Sequence, residues 1–531
     1  HKESCQKRCP GKHEHPCHQK LEGKYTKISE EYTYPMPDLV HKAWRESTYA
    51  TRYPSSKLAL SIAMFATDNE VPAMPTVKPD YTHREKIQTT WPMIGLVARL
   101  LDKKEIANNP KARAAIIKER DRLIAAGTWD PAKVREYDDV VKEARRLGKK
   151  VHFSRVFSIC SEKGSELPEG DPNRKFKGRC VMQGSNVKDE NKDHAIFNEL
   201  SSAPATLECA KAVDVYGAID GNETQQCDAE QAYIQSNLGG TETWVRLSKE
   251  LVPPEWSCYR DPVVPLELAL YGHPDSGGYW EEHCTSHLKE AGFNIVKNWD
   301  SCFWHPELKL LLMVYVDDFK MSGPAGNLAK GWALIRKNIK TDDPQPVNKC
   351  LGCDHIVRKE LINDKPVTSV EYDMRPFMEQ CVSSYLELAK KTRDELKFTK
   401  TLFIDESSLA DDEPGGELQH IACKVLMKIF YGARLARFDL IRAVTALACK
   451  VTKWTKSCDK QLHKLVCYIN SSLDYRLGGY IGDPLDKLEL ALYSDADFAG
   501  CPSTSKSTSG IFIAITGDNS FFPLNAVSKK Q

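Results

Sequence analysis

Between Leu308 and Gly323 the chain reads LKLLLMVYVDDFKMSG. An apolar run from Leu310 to Val316 meets two adjacent acids, Asp317 and Asp318; a short alternating run through Phe319 and Met321 then closes at Gly323-Pro324. That order predicts a β-hairpin with the acids at its tip. Side chains alternate along strands, so neighbouring acids in a tight turn need not point the same way. Adjacent carboxylates repel, and folding alone has no use for them beside a buried strand. Hard oxygen ligands suit a divalent cation such as magnesium. Asp is also an ordinary turn residue, so taken alone the pair reads first as an acidic surface turn. Its meaning depends on the rest of the chain.

The totals announce no partner. Formal net charge is +1 over 531 residues, so any nucleic-acid surface must be local. A hydrophobic share of 41% and a charged share of 28% are ordinary for a globular chain, here of about three or four domains. No apolar run approaches the roughly 18 residues of a membrane span, so no membrane partner is expected. The first residues hold Cys, His and Lys without an apolar segment, and a chain opening on His1 reads as a piece of a longer translated product. The 18 cysteines lie singly (Cys160, Cys180, Cys227, Cys302, Cys423), which points to reduced thiols in an intracellular protein. A cytoplasmic particle and the nucleus both remain open as its location.

Cys5, Cys9, His13, His15, Cys17 and His18 crowd the start without the paired spacings of a zinc finger. They read as a flexible polar terminus, with zinc binding as the alternative, and residues 19–105 read as a linker with short ordered pieces. Asn109-Pro110 opens a helix whose face is Ala112, Ile116, Leu123 and Ile124, and Gly127 stops it. A second, charged helix is predicted over about 131–148. VHFSRVFSIC and RKFKGRCVMQG then predict a hairpin whose second arm carries Lys175, Lys177 and Arg179 on one face. This is either a solvated face or a grip for a triphosphate. Asp228 follows strand-like sequence, with Tyr233 five residues on. LYGHPDSGGYWEEHCTSHLKEAGF is a Gly-rich loop feeding a helix marked by Trp280, Cys284 and Leu288. Its Asp275-Ser276-Gly277 is the triplet of aspartic proteases, a distant rival reading because it follows His-Pro. Lys450, Lys453, Lys456, Lys460 and Lys464 recur at helical spacing around Trp454, as a solvated face or a track for a phosphate backbone. The tail predicts a strand, an acidic turn with Asp495 and Asp497, a Ser/Thr loop and another strand.

The order of these pieces resembles the reverse transcriptase–ribonuclease H region of copia-type (Ty1-like) LTR retrotransposon polyproteins, from about Ala114 to the end. The resemblance is carried by Ala114 to Trp129, KFKGRCVMQG, CDAEQAYIQ, LYGHPDSGGYW, YVDD, KCLGCDH, ARFDLIRAV and YSDADFAGCPSTSKSTSG. It implies an α+β right-hand polymerase, with fingers, palm and thumb, followed by a connection and a truncated ribonuclease H-like fold. The expected divisions are 1–105, an N-terminal linker; 106–360, fingers and palm; 361–420, a thumb-like segment; 421–487, a helical connection; and 488–531, a partial ribonuclease H-like domain.

The resemblance also implies roles. Asp228, Asp317 and Asp318 would be the catalytic carboxylates, holding two magnesium ions (or manganese in their place) roughly 3.5 to 4 Å apart. Arg179 with Lys177 would clamp the triphosphate. Tyr233 would sit under the sugar and exclude a 2′-hydroxyl, and Tyr271 and Gly272 would line the nucleotide pocket. Leu351-Gly352 would lie near the primer end. Partners would be an RNA or DNA template with primer, deoxynucleoside triphosphates, and the integrase, protease and capsid of the same polyprotein. Asp495 matches the first acid of the ribonuclease H site, and the later acids do not appear before Gln531, so ribonuclease H activity is not expected of this chain. His273-Pro274-Asp275 departs from the family loop, Gly277 replaces a Pro, and Arg437-Phe438-Asp439 lacks the usual Pro. These departures leave a second expectation open: an inactive or co-opted remnant that binds nucleic acid without catalysis.

Overall fold

The computed structural model describes residues 98–163, 171, 174–195, 197, 203–404, 415–497 and 506–530. The Cys/His cluster at 5–18, and with it the zinc reading, lies outside the described residues.

The described residues open with β1 (Ala98–Leu100), α1 (Lys103–Asn108) and α2 (Pro110–Ala125), then β2 (Arg135–Glu136) and α3 (Tyr137–Leu147). Next come β3 (His152–Lys163), β4 (Lys175–Met182), β5 (Lys188–Asp189), α4 (Leu207–Ala218) and β6 (Asn222–Asp228). β7 (Thr243–Leu247), β8 (Pro262–Pro265) and α5 (Ser276–Glu290) lead to β9 (Asn294–Ile295), β10 (Cys302–His305), β11 (Leu310–Tyr315) and β12 (Asp318–Pro324). α6 (Ala325–Ile335) is followed by β13 (Gln345–Pro346), β14 (Lys349–Cys350), β15 (Cys353–Ile362), β16 (Lys365–Asp373) and α7 (Arg375–Ala389). The last part holds α8 (Gln419–Ala436), α9 (Ile441–Ala448), α10 (Lys456–Ser471), β17 (Leu477–Ile481), β18 (Glu489–Ala496), β19 (Thr508–Gly517) and β20 (Ser520–Lys530).

These strands form three sheets in a mixed α/β fold. The first runs β1-β3-β7-β8-β2, with β4 and β5 also on β3; the second runs β13-β6-β12-β11-β10-β9; the third runs β14-β15-β16-β17-β20-β19-β18. In the first, Asn109 caps α2 by accepting from the Lys111 and Ala112 amides at 3.0 and 3.2 Å. α2 buries Ala112, Ile116 and Leu123. It lies against β4 so closely that a Cβ on Gly178 would stand 2.5 Å from the Ala115 carbonyl oxygen. The basic strand is therefore held rigidly from behind.

The expected helix over 131–148 is shorter than its charge pattern suggested. Asp130 caps a single 3₁₀ turn at Pro131–Lys133, and Arg135 and Glu136 then pair with Val263 and Pro262 of β8. A pairing 126 to 128 residues away in sequence wins over local helical preference.

In the second sheet every residue from Leu310 to Val314 is apolar because both faces are covered. Leu310, Leu312 and Val314 pack with Trp280 and Leu288 of α5 and Leu328 and Trp332 of α6. Met313 packs on the opposite side with Cys209, Ala210 and Val213 of α4. The third sheet takes strands from the palm, thumb-like, connection and terminal segments expected from sequence, so it runs across those divisions, and the expected helical connection holds β17 as well as helices. Among the described residues no helix is long and apolar enough to cross a membrane.

Candidate active site

β6 and β12 are antiparallel neighbours, and their ends set Asp228 opposite Asp318 in register. Tyr315 pairs with Asp318 across the hairpin, leaving Val316 and Asp317 as its turn. The Ala229 amide donates to the Asp317 carbonyl at 2.7 Å, which draws the turn against the end of β6. Val316 has φ +60°, where a β-branched residue is strained. The indole Nε1–H of Trp280 donates to the Val316 carbonyl at 2.7 Å and holds that conformation. The Asp228 amide donates to Asp342 Oδ1 at 2.7 Å, and the Asp342 amide returns a bond to the Asp228 carbonyl at 3.0 Å.

The three carboxylates act on one another. Burial, then Asp317 and Asp228, pushes the Asp318 carboxyl up to about 7, and a hydrogen bond joins it to Asp228. Like charges gathered at a buried site hold a proton in this way, and Lys320, two residues on, offsets them only in part. A divalent cation would replace that proton, and the donors are hard oxygens of the kind magnesium prefers. The donor set therefore fits such a cation, although among the described residues no three His, Cys, Asp or Glu already stand in a closed ligand array.

The expected nucleotide-side residues stand beside this centre. Tyr233 lies in a 3₁₀ turn, Ala232–Gln235, and its ring centroid is 4.6 Å from that of Tyr271. Burial raises both phenols, and Asp317 raises both further. The Arg179 guanidinium carbon lies 5.1 Å from the Tyr271 ring centroid. Gly272, at φ +92°, is where the loop meets β4: a Cβ there would stand 2.1 Å from the Met182 carbonyl oxygen. Lys177 is on the same face of β4, one step out; it and Arg179 both act on Glu119, whose carboxyl is raised by burial and lowered by Arg122, Arg179 and Lys177. Thus Asp228, Asp317, Asp318, Tyr233, Tyr271, Gly272 and Arg179 are brought together, and Lys177 borders them. Asp495 is not with them. It is exposed on β18 of the third sheet, where its Oδ1 accepts from the Ala496 amide at 2.8 Å.

Two departures in the loop turn inward. His273 is buried and pushed down to about 4 by that burial, then by His152. Asp275 is buried at the start of α5, and its amide donates to His273 Nδ1 at 3.2 Å. The Asp-Ser-Gly triplet therefore opens a helix, with the Ser276 hydroxyl donating to the Leu270 carbonyl at 2.8 Å. It does not form a strand-borne protease turn.

The expected lysine stripe is split. Thr455 accepts from the Cys458 amide at 3.2 Å and starts α10 at Lys456, so only Lys456, Lys460 and Lys464 share a helix; Lys450 and Lys453 precede it. The signal for that break, a Thr before a charged helix, was present in the sequence.

Sequence reasoning missed Trp280 as a turn support, Asp342 as a brace on Asp228, and Tyr431. Tyr431 Oη donates to the Leu351 carbonyl at 2.6 Å. Burial, then Tyr315 and Asp318, pushes its phenol up to about 12, so this part of α8 lies within electrostatic range of Asp318. A partly exposed Tyr on a helix carries no sequence signal of such a contact.

Acids on paired strand ends, an aromatic pair beside them and a guanidinium beyond define a carboxylate centre suited to divalent cations and anionic groups. Residues 166–365 match the family model described as reverse transcriptase (RNA-dependent DNA polymerase), the family typical of copia-type (Ty1-like) LTR retrotransposons. Among solved structures, the chain is similar to the foamy viral protease-reverse transcriptase dRH in complex with double-stranded DNA, at 10% identity and a TM-score of 0.36 over 75% of this chain. It is also similar to the foamy viral protease-reverse transcriptase in complex with RNA/DNA hybrid, at 10% identity and a TM-score of 0.34 over 74% of this chain. The chain spans 57% and 42% of the length of these two proteins.

Proposed function

We propose that this chain is an RNA-directed DNA polymerase that extends a primer 3′-hydroxyl by nucleotidyl transfer. The observation that carries this is the convergence of Asp228, Asp317 and Asp318, with Asp318 pushed up to about 7 by its neighbours. The second sheet with α4, α5 and α6 would be the palm and the first sheet the fingers. Residues 361–420 would form the thumb, 421–487 the connection and 488–531 a partial ribonuclease H-like domain. Template with primer, deoxynucleoside triphosphates and the other products of the same polyprotein would be its partners, in a cytoplasmic particle or the nucleus.

Asp228, Asp317 and Asp318 would hold magnesium, or manganese, which supplies charge neutralisation and polarises the reacting oxygens when bound. The chain's own residues do the rest. Asp318 surrenders its proton before it can serve as a ligand. Arg179 offers fixed donors to the triphosphate, with Lys177 as a point charge at the border. The tilted, touching rings of Tyr233 and Tyr271 present an apolar surface to the sugar. The Trp280 bond keeps the strained turn from relaxing between cycles.

Primer extension on a homopolymer template with magnesium tests this against Asp317→Asn and Asp318→Asn. Extension by the parent chain that is lost in both variants is expected. A folded parent that extends nothing in magnesium or manganese would refute it, and filter binding of primer–template would then show whether nucleic acid is still held.

A further inference from the structure

α4 packs against β11 and β12 on one side and β16, β17 and β20 on the other, between the second and third sheets. Its Asp214 is 2% exposed, and Lys320 of β12, 1% exposed, donates Nζ to both carboxylate oxygens at 2.9 Å. From the third sheet, Tyr372 Oη donates to Asp214 Oδ2 at 2.8 Å, and His355 Nε2 stands 3.4 Å from the same oxygen. One turn earlier on α4, the buried Lys211 ammonium lies 4.1 Å from the Phe438 ring centroid and 5.2 Å from that of Tyr372. It makes no hydrogen bond. The junction thus joins the palm-like sheet, the third sheet and the corner between α8 and α9.

A buried ion pair is a weak device for stability, because desolvation offsets much of the attraction. Its placement is more informative. Residues two apart on a strand share a face, so Lys320 and Asp318 project from the same side of β12. Packed interiors transmit small displacements.

Resting on the polymerase reading above, we propose that Asp214 is a positioning residue of the carboxylate centre. By fixing Lys320 it sets the face of β12 from which Asp318 projects, and through Tyr372 it ties that face to the third sheet. The placement of the third sheet is thereby registered at the carboxylates.

The test is the double variant Asp214→Asn with Lys320→Met, which removes both charges together and keeps an amide oxygen for Tyr372. Removing a buried pair whole is often neutral for folding. Three readouts are taken on the full chain: circular dichroism and unfolding, Mn2+ binding by electron paramagnetic resonance without nucleic acid, and kcat and KM in primer extension. Misplaced reacting groups cost up to ~100-fold in rate, so a kcat loss of ~10-fold or more is expected, with KM for primer–template unchanged. Mn2+ affinity should fall by ~10-fold on the same grounds. Tyr372→Phe, which removes one hydrogen bond and no charge, should lie between the two and serves if the double variant fails to fold. A folded variant with unchanged Mn2+ affinity and kcat overturns the proposal. If the parent extends no primer, the polymerase reading fails, while the Mn2+ measurement still decides whether Asp214 positions the carboxylates.

Discussion

Replacing Asp318 with Asn should stabilise the metal-free protein while abolishing primer extension. The Asp318 carboxyl is pushed up to about 7 by burial and then by Asp317 and Asp228. An unfolded Asp titrates near 3.9. The folded chain therefore binds the extra proton between about 4 and about 7. Stability is full below that window, falls as pH rises through it and is flat above. Roughly three units at ~1.36 kcal/mol each give ~4 kcal/mol as an upper limit. The site is partly open to water, so ~2–4 kcal/mol is the working range. Asn cannot ionise, keeps nearly the same shape and offers an amide to Asp228. The assay is urea unfolding in EDTA at pH 5 and pH 8. The parent should lose most of that amount between the two, and Asp318→Asn should lose little. An Asn variant no more stable than its parent at pH 8, or with the same slope against pH, would refute the reasoning.

Lys211 is buried without a hydrogen bond and pushed down to about 7 by that burial, so it costs stability at neutral pH that returns as pH rises toward the unfolded value near 10.4. Lys211→Met should therefore raise unfolding free energy at pH 7 by ~2–4 kcal/mol, read by urea unfolding at pH 7 and 9. Trp280→Phe removes the bond to the Val316 carbonyl. It should cost ~1 kcal/mol in stability and about tenfold in extension rate, because the turn carrying the acids is freed. Tyr233→Val removes the ring packed at a tilt, 4.6 Å from that of Tyr271, and should raise ribonucleotide use relative to deoxyribonucleotide use, measured as a ratio of kcat/KM. Arg437 is buried and donates to both Asp439 oxygens, at 3.0 and 2.8 Å, and to the Ser472 carbonyl at 2.9 Å. Asp439 is 32% exposed, so its carboxylate stays hydrated when the partner is removed, and Arg437→Met should lose ~1.5–3 kcal/mol, the scale for hydrogen bonds to a charged group, in thermal or urea unfolding.

What was legible in the sequence had a local cause. The Leu310–Val316 run ending in Asp317-Asp318 gave the hairpin, because a covered strand must be apolar on both faces. Asn109-Pro110 and Gly127 bounded α2, because caps act within a turn. The basic arm on β4 followed from alternation. What was not legible had distant causes. Arg135 and Glu136 leave the helical pattern to pair with β8. The third sheet gathers strands from Lys349 to Lys530, and nothing in any one of them names its neighbours. Lys320 is the sharpest case. The alternation through Phe319 and Met321 assigns it to a solvent side, yet it is buried against Asp214, 106 residues earlier. A charge can be hidden on a strand only if its partner arrives from elsewhere, and one sequence does not show arrivals.

The two charged groups on that face of β12 are treated in opposite ways. Lys320 is neutralised within the protein by Asp214, so its environment is complete without any ligand. Asp318 is opposed by Asp317 and Asp228, and its environment is completed only by a proton or a cation. Any cation bound there at neutral pH must displace that proton, so its affinity should rise with pH through about 7. The same cation is a folding ligand: at 100 times its dissociation constant it would add ~2.7 kcal/mol. That is comparable to what the crowded carboxylates remove, so the strand when ionised and empty gives up a few kcal/mol that either a proton or a metal restores, and the two compete for it.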